Sequence, residues 1–395
     1  MRPYLRGIRR RVKQEIPHRS ARRLRRAFAA AIAAGLAACG GSPAEPEIDR
    51  SASPGEFSGA LAWADLEDLA DGPRALGSDG AEAARGHITA RLAAAGIAVE
   101  TLTTTAESKG FGPLALTHLV ATLPGSSPDR IVLIAPYDSG QYDGFSFIGA
   151  NDGASGAAVL LELARALKGR TLPYTVEFVW LEGEGRIGHG TGDERELRWL
   201  GSRGLAERWA ETGHLQGIRL LVSFNRVCDA DLRIARDSGS QRELREEFWR
   251  VARHLGFTDV FAPTRGYESV ETSGAAFRDH GVRPVVAIED TAFGGDEAPG
   301  IYAGEDDVLQ HCAPESLDVV GRVAIETVTT IATRLAKIDR FARTPAAEPE
   351  TPSKQPAEHG DAGAAPPAPA PPEPPAEANA PADPTPETPD APGSP

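Results

Sequence analysis

The chain has 395 residues, 41% hydrophobic and 25% charged, a composition typical of a protein with one large globular domain. Its formal net charge is −14. The first 38 residues carry 11 Lys/Arg against one acidic residue, so removal of this leader would leave a charge near −24. A surface this acidic excludes nucleic acid as a partner, because phosphate binding requires a cationic face.

The amino-terminal segment has the pattern of an export signal. The basic leader is followed by an apolar, Ala-rich stretch, residues 27–38, which is too short to span a bilayer as a stable helix. We therefore predict a signal peptide over residues 1–38. It ends in LAACG, which resembles the lipobox of bacterial lipoproteins, where the cysteine is lipidated and becomes the new amino terminus. The alternative is an ordinary cleaved signal peptide with a chance cysteine.

This pattern predicts where the protein resides. With Cys39 lipidated, we expect a lipid-anchored protein of the bacterial cell envelope, at the outer membrane, its periplasmic face or the cell surface. Residues 39–56 are rich in Gly, Ser, Pro and Glu and are predicted to form a flexible linker. Residues 344–395 hold 17 of the 32 prolines and nine acidic residues, which predicts a disordered tail. The folded domain is then residues 57–343.

Within that domain, apolar runs alternate with segments of helical periodicity, which predicts a layered α/β fold. In such folds ligands bind at the carboxyl ends of the strands. Cys228 and Cys312 are compatible with a disulfide or with two buried thiols, and the sequence leaves both open. Helices are predicted at 80–96, 156–168, 201–211, 241–255 and 314–338, and strands at 116–123, 130–135, 174–181, 218–224 and 282–288.

Two stretches beside predicted strand ends carry a family resemblance. They are GANDGASG followed by LLELARAL, and GEG followed by WLGSRGLAERW. These motifs resemble the co-catalytic zinc aminopeptidase family, metallopeptidase family twenty-eight, and most closely its glutaminyl cyclase-like branch. The resemblance runs from about residue 72 to the closing helix. It implies a zinc-exopeptidase-like fold, a three-layer α/β sandwich with a mostly parallel mixed central sheet and helices on both faces.

The resemblance also implies a site. Asp152 matches the aspartate that binds metal in this family, and Glu184 matches the general base. The cyclases' further catalytic aspartate is expected near residues 273–274 and is absent. Four other metal-ligand positions hold residues that are poor or impossible zinc ligands, so only one of five ligand positions is retained. The four lost positions are Pro136, Gly185, Asn225 and Ala303.

The magnitude of zinc's contribution decides the functional prediction. Zinc lowers the pKa of bound water from about 15.7 to about 7. This shift is worth on the order of 12 kcal/mol, because one pKa unit corresponds to about 1.36 kcal/mol. A lone base such as Glu184 contributes only about 10²- to 10⁴-fold. We therefore predict a pseudoenzyme, with Glu184 vestigial and no cofactor. Its partners would be the membrane, through the anchor, and a peptide or protein in the cleft.

Two alternatives remain open at this point. In the first, the protein is an active zinc-dependent aminopeptidase or glutaminyl-peptide cyclotransferase whose metal site has been rebuilt. The metal would then be held by Asp152 together with substitute ligands from His189, Asp138 and Asp306. In the second, the protein is a structural lipoprotein whose cleft is closed by side chains.

Overall fold

The computed structural model describes residues 55–343, except 109–110, 188–197, 263–266, 269, 292 and 294–303. The predicted signal peptide and tail, most of the linker, Cys39, His189 and Ala303 therefore lie outside the described residues. Within this part of the chain, no helix is both long and apolar enough to cross a lipid bilayer.

A six-stranded mixed sheet in the order β1-β2-β4-β3-β5-β8 forms the centre of the domain. β1 and β2 pair antiparallel, as do β2 and β4, whereas β4, β3, β5 and β8 run parallel. The strands are β1 (Val99–Ser108), β2 (Gly112–Leu123), β3 (Ser127–Pro136), β4 (Tyr174–Leu181), β5 (Ile218–Phe224) and β8 (Val285–Ile288), with a separate short pair, β6 (Arg236–Asp237) and β7 (Tyr267–Glu268).

Helices cover both faces of this sheet. The described helices are α1 (Gly59–Leu69), α2 (Asp79–Ala94), α3 (Gly156–Lys168), α4 (Leu200–Glu211), α5 (Arg242–Leu255), α6 (Gly274–Asp279) and α7 (Pro314–Arg343). Residues of α1, α2, α3, α5 and α7 share one hydrophobic core, and residues of α4 and α6 share the core on the opposite face. The predicted three-layer α/β sandwich is confirmed.

β3 shows how the sequence specifies these layers. Ile131, Leu133 and Ala135 lie in the first core, and Val132 and Ile134 lie in the second. Side chains of a strand alternate between the two faces of its sheet, so a strand buried on both faces is a continuous apolar run.

The predicted elements agree with the structure, with a few informative differences. The bounds of α3, β4 and β5 are as predicted. β8 begins three residues later than predicted, after Pro284, which has no N–H group to donate to a neighbouring strand. The prediction missed α1, α6 and β1 and the short pair β6 and β7. β1 is a Thr-rich edge strand with alternate positions exposed, so it contains no apolar run.

The four parallel strands bring their carboxyl ends to one edge of the sheet. Asp138, Glu182, Asn225 and Glu289 follow β3, β4, β5 and β8 at this edge. Because a polar residue follows each strand there, the topology alone gathers polar and charged side chains that are distant in sequence. The predicted position of the site at the strand ends rests on this arrangement.

A disulfide joins Cys228, in the loop after β5, to Cys312, just before α7, with their Cα atoms 4.7 Å apart. The pairing thus settles the alternative that the sequence left open. The same loop is held by hydrogen bonds, because the Cys228 N–H donates to Asn151 Oδ1 at 3.0 Å and the Ala313 N–H donates to the Cys228 carbonyl at 2.7 Å.

We expect reduction of this disulfide to lower the free energy of unfolding by about 2 to 5 kcal/mol, because the bond closes a long loop in the unfolded chain. The two cysteines are 84 positions apart. Urea unfolding with and without reductant measures the loss. In a Cys228→Ser/Cys312→Ser variant, reductant should change nothing; equal stability of the oxidised and reduced wild type would contradict the prediction.

Candidate functional site

Asp152 lies in an irregular turn, Ala150–Ser155, which leads from the strand-end edge into α3. The backbone leaves the helical conformation at Asp152 and at Gly153, whose φ is 109°. A side chain at Gly153 would place its Cβ 2.1 Å from the Asp138 carbonyl oxygen. Glycine is therefore required here, and the tight turn presents the buried carboxylate of Asp152 towards the ends of the strands.

Both oxygens of the Asp152 carboxylate accept hydrogen bonds from nitrogen. Arg198 Nη2 donates to Oδ2 at 2.8 Å, and Asn225 Nδ2 donates to Oδ1 at 2.8 Å. Burial raises the pKa of Asp152, but the Arg198 and Arg226 guanidiniums and the two hydrogen bonds outweigh it and hold the pKa below its ordinary value. The group is an ionised carboxylate with a protein donor on each of its two oxygens.

The amide of Asn225 fits this position in a way that a carboxylate could not. Its Nδ2 faces Asp152, and its Oδ1 accepts from the N–H groups of Gly153 at 2.9 Å and Arg226 at 3.0 Å. Aspartate has no donor to offer Asp152 and would add a like charge beside it. The residue found where the family places an aspartate is therefore matched to its neighbours.

Two residues of this site have a strained backbone. Trp199 (φ 57°) and Arg226 (φ 53°) are the non-glycine residues with positive φ in the described part of the chain. Such conformations cost on the order of 1–3 kcal/mol each and persist only where the surroundings impose them. Both lie at buried cations of the site. The Arg198 guanidinium lies 5.0 Å from the Trp199 ring centre, and Arg226 Nη2 donates to Glu289 Oε2.

Asp307 stabilises the turn that carries Asp152. Its two carboxylate oxygens accept from the N–H groups of Asn151 at 2.6 Å and Asp152 at 3.0 Å. Burial raises the pKa of Asp307 to about 7. The neighbouring Asp306, a predicted substitute ligand, is exposed. Asp307, and not Asp306, therefore contacts the site, by accepting hydrogen bonds from its backbone N–H groups.

Arg74 is a third buried cation at this edge. Its guanidinium donates to backbone carbonyls, including those of Tyr137 at 2.8 Å and Gly149 at 2.8 Å. Burial lowers its pKa to about 10, although the nearby carboxylates, those of Asp138 and Asp152 among them, act in the opposite direction. Arg74 therefore crosslinks the loops around Asp152 and offsets part of their negative charge.

Glu184, which the resemblance predicts to be the general base, is buried in the loop after β4. Its Oε1 accepts from the Ser202 N–H at 2.5 Å, and its Oε2 has no hydrogen-bond partner among the described residues. Burial raises the pKa of Glu184, while the hydroxyls of Ser273 and Ser202 and the Arg198 charge oppose the rise. Ser273 stands where the resemblance led us to expect a catalytic aspartate.

Gly185 has no space for a side chain. A Cβ at this position would lie 2.7 Å from the backbone N of Gly140 and 2.7 Å from the carbonyl carbon of Ser139. Asp138 closes the same region, because its carboxylate oxygens accept from the N–H groups of Glu184 and Gly185 at 3.2 Å each. Asp138, a predicted substitute ligand, thus supports the backbone after β4.

The fold family implies a zinc ion, and the described residues do not fit one at the family's position. Pro136 pairs with Leu181 at the end of β3 and has no side-chain donor, and Gly185 has none either. Asn225 turns its N–H towards Asp152, the retained ligand position, whose two oxygens are already engaged. Among the residues that the structure describes, no three His, Cys, Asp or Glu side chains form a metal-binding group.

The sequence analysis missed the cations of this site. Arg226 directly follows Asn225 at the end of β5, a position that could have been identified. Glu289 directly follows the predicted strand 282–288 and could have been identified in the same way. Arg198 had no comparable signal, because it follows a polar loop and its partner Asp152 is 46 positions away.

Comparison with known proteins agrees with the resemblance. The model of peptidase family M28 matches residues 118–328, more than half of the chain. Glutaminyl-peptide cyclotransferase-like protein of Bos taurus is 36% identical over 135 residues, 32% of this chain and 34% of that protein. Glutaminyl-peptide cyclotransferase of Boiga irregularis is 32% identical over 184 residues, 41% of this chain and 46% of that protein. The matches thus span less than half the length of these relatives.

Solved structures show the same fold. A glutaminyl cyclase from an Acidobacteriales bacterium is similar with a TM-score of 0.64 and 27% identity, covering 75% of this chain and 100% of that chain. A Zn-dependent exopeptidase from Parabacteroides distasonis gives a TM-score of 0.62 at 18% identity, covering 70% of this chain and 99% of that chain. The family and its glutaminyl cyclase-like branch are confirmed.

We expect Gly185→Ala to lower the free energy of unfolding by about 1–3 kcal/mol, because the added methyl group must displace backbone. Gly86→Ala is the matched control. Gly86 lies in α2, and a Cβ added there would have nothing within 4 Å, so alanine should be neutral or stabilising by up to about 1 kcal/mol. Urea unfolding of both variants provides the comparison; equal stabilities would show that position 185 is open.

Stability should fall as the pH rises from about 5 to 8. Burial raises the pKa of Asp138 to about 8 and those of Glu289 and Asp307 to about 7. A carboxyl with a raised pKa binds more protons in the folded than in the unfolded state, so its stabilising contribution is lost as the pH rises through the folded value.

Asp138→Asn should flatten this pH dependence by up to about 1.4 kcal/mol per pH unit, the effect of one proton. Chemical unfolding between pH 5 and 8 measures the slope, whatever the absolute stability of the variant. Asp306→Asn, at an exposed position, should leave the slope of the wild type unchanged. An Asp138→Asn slope equal to that of the wild type would refute the assignment.

Proposed function

The chain belongs to peptidase family M28, and we propose that it is a non-hydrolytic member of this family. On this proposal it is a lipid-anchored protein of the bacterial cell envelope. Its glutaminyl cyclase-like domain binds a peptide or a segment of a protein partner at the strand ends, without zinc.

The observation that carries the proposal is the environment of Asp152. Both carboxylate oxygens accept from protein nitrogen, from Arg198 and from Asn225. A catalytic zinc needs three protein ligands and an open position for water. Without it, hydrolysis lacks the activation of water, on the order of 12 kcal/mol, and Glu184 offers only general-base catalysis.

A binding role is supported by what the site retains. Glu184 Oε2 is closed off from solvent and is not fully used as an acceptor by the described residues, so a ligand N–H group would pair with it once the site opens. Asn225, at the centre of the site, is partly exposed. A peptide backbone or terminal amine supplies the donors that such an acceptor requires.

The proposed location is supported by the lipobox at Cys39 and by the disulfide. A disulfide between Cys228 and Cys312 is suited to an oxidising compartment such as the periplasm or the cell surface. The Cys39 lipid would anchor the domain through the linker, residues 39–56.

An active enzyme with a rebuilt metal site is the second candidate, and one observation favours it. The carboxyl of Glu184 is buried and its pKa is raised, as a general base requires. Relatives of this chain are named glutaminyl-peptide cyclotransferases. In this case the metal would depend on Asp152 and on His189, which lies outside the described residues.

Metal analysis with a turnover assay separates the two candidates. Protein purified without chelator should contain far less than one zinc per chain and should not convert aminoacyl or amino-terminal glutaminyl peptides. Peptides that bind it should bind equally well in the presence of chelator. One zinc per chain together with chelator-sensitive turnover would overturn the proposal.

Two variants serve as controls for this experiment. The rebuilt site predicts that Asp152→Ala and His189→Ala each abolish both metal and activity. The proposed function predicts that neither variant changes the metal content. Unchanged metal content in His189→Ala would remove the central requirement of the rebuilt site.

A further inference from the structure

We infer that Arg198 is the resident cation of this site. Its guanidinium supplies to Asp152 the positive charge that a metal ion supplies to the corresponding aspartate in the zinc enzymes of the family. The inference deepens the proposed function, since it states what occupies the electrostatic role of the metal, and it rests on that proposal for its functional meaning.

The contact between Arg198 and Asp152 is a buried ion pair. Their side chains are each 9% exposed, and Nη2 lies 2.8 Å from Oδ2. A carboxylate removed from water requires a compensating charge, and an ion pair with a fixed geometry can provide it. Since Asn225 donates to the other oxygen, each oxygen of the carboxylate has a protein donor.

Neighbouring groups hold the Arg198 guanidinium in place. Arg198 immediately precedes Trp199, which has a left-handed backbone and whose ring centre lies 5.0 Å from the guanidinium carbon. The Trp199 N–H donates to the Glu184 carbonyl at 3.3 Å, and α4 begins at the next residue. The cation is thus fixed between the backbone after β4 and the first turn of a helix.

A metal ion and Arg198 would compete for the same oxygen of Asp152. Restoring a single lost ligand would therefore not restore metal binding while Arg198 is present. The neutral amide of Asn225 is suited to this arrangement, because it donates a hydrogen bond to a carboxylate whose charge Arg198 already balances. The substitutions form one arrangement that needs no metal.

A double-mutant cycle tests the inference. Asp152→Asn leaves a buried guanidinium and Arg198→Met leaves a buried carboxylate, so each should lower the melting temperature by about 10 °C. The neutral double variant should recover at least half of the larger loss. Additive losses would overturn the inference, as would single losses no larger than those of surface changes.

Three further variants keep the result interpretable. Arg198→Lys retains the charge and should melt above Arg198→Met; equal behaviour of the two, including failure of both to fold, would overturn the inference. Arg208→Met and Glu211→Gln form the surface control on α4, where the pair is 4.0 Å apart and 55% and 65% exposed. Each should shift the melting temperature by only about 1–2 °C, without coupling.

The outcome is distinguishable from that of the proposed function. Zinc-dependent turnover of the wild type with a coupled Asp152–Arg198 cycle would overturn the proposed function and leave the resident cation in place. Additive losses in a protein free of zinc and of turnover would overturn the resident cation alone.

Discussion

A carboxylate buried at the ends of four parallel strands needs a positive charge beside it, and the neutralisation of Asp152 organises the surrounding loops. Arg198 reaches it from the start of α4, and Asn225 reaches it from the end of β5. The same amide holds the N–H groups of Gly153 and Arg226, and Arg226 pairs with Glu289 after β8. One charge requirement therefore connects elements that share no sequence proximity.

Such a network contributes little to overall stability. The desolvation of buried ions offsets most of their mutual attraction, and the positive φ at Trp199 and Arg226 adds a further cost. The sheet instead derives its stability from two apolar cores, with β3 buried between them. The loop after β5 is additionally fixed by the Cys228–Cys312 disulfide. The core and the disulfide together can hold a strained polar site in place.

The sequence predicted the fold better than the site, for a physical reason. Local periodicity encodes strands such as β4 and helices such as α3, and their bounds were as predicted. β1 was missed because a polar edge strand lacks the apolar run on which the prediction depends. In the site, the resemblance predicted roles for Asp152 and Glu184 and the loss of four ligand positions, and these stay predictions. Arg198 was missed because a pairing across 46 residues leaves no local pattern.

On the proposed function, the predicted loss of ligands is a replacement rather than decay. Independent decay would leave vacated positions open, yet a side chain at Gly185 would collide with the backbone of Ser139 and Gly140. At position 225 the amide makes three hydrogen bonds that use both its donor and its acceptor. An aspartate there would place a second negative charge beside Asp152. The Arg198 guanidinium already balances the charge of Asp152, so the second charge would need another cation. Gly185 and Asn225 are thus fitted to their neighbours, so reverting the first creates a clash and reverting the second an uncompensated charge, rather than part of a zinc site.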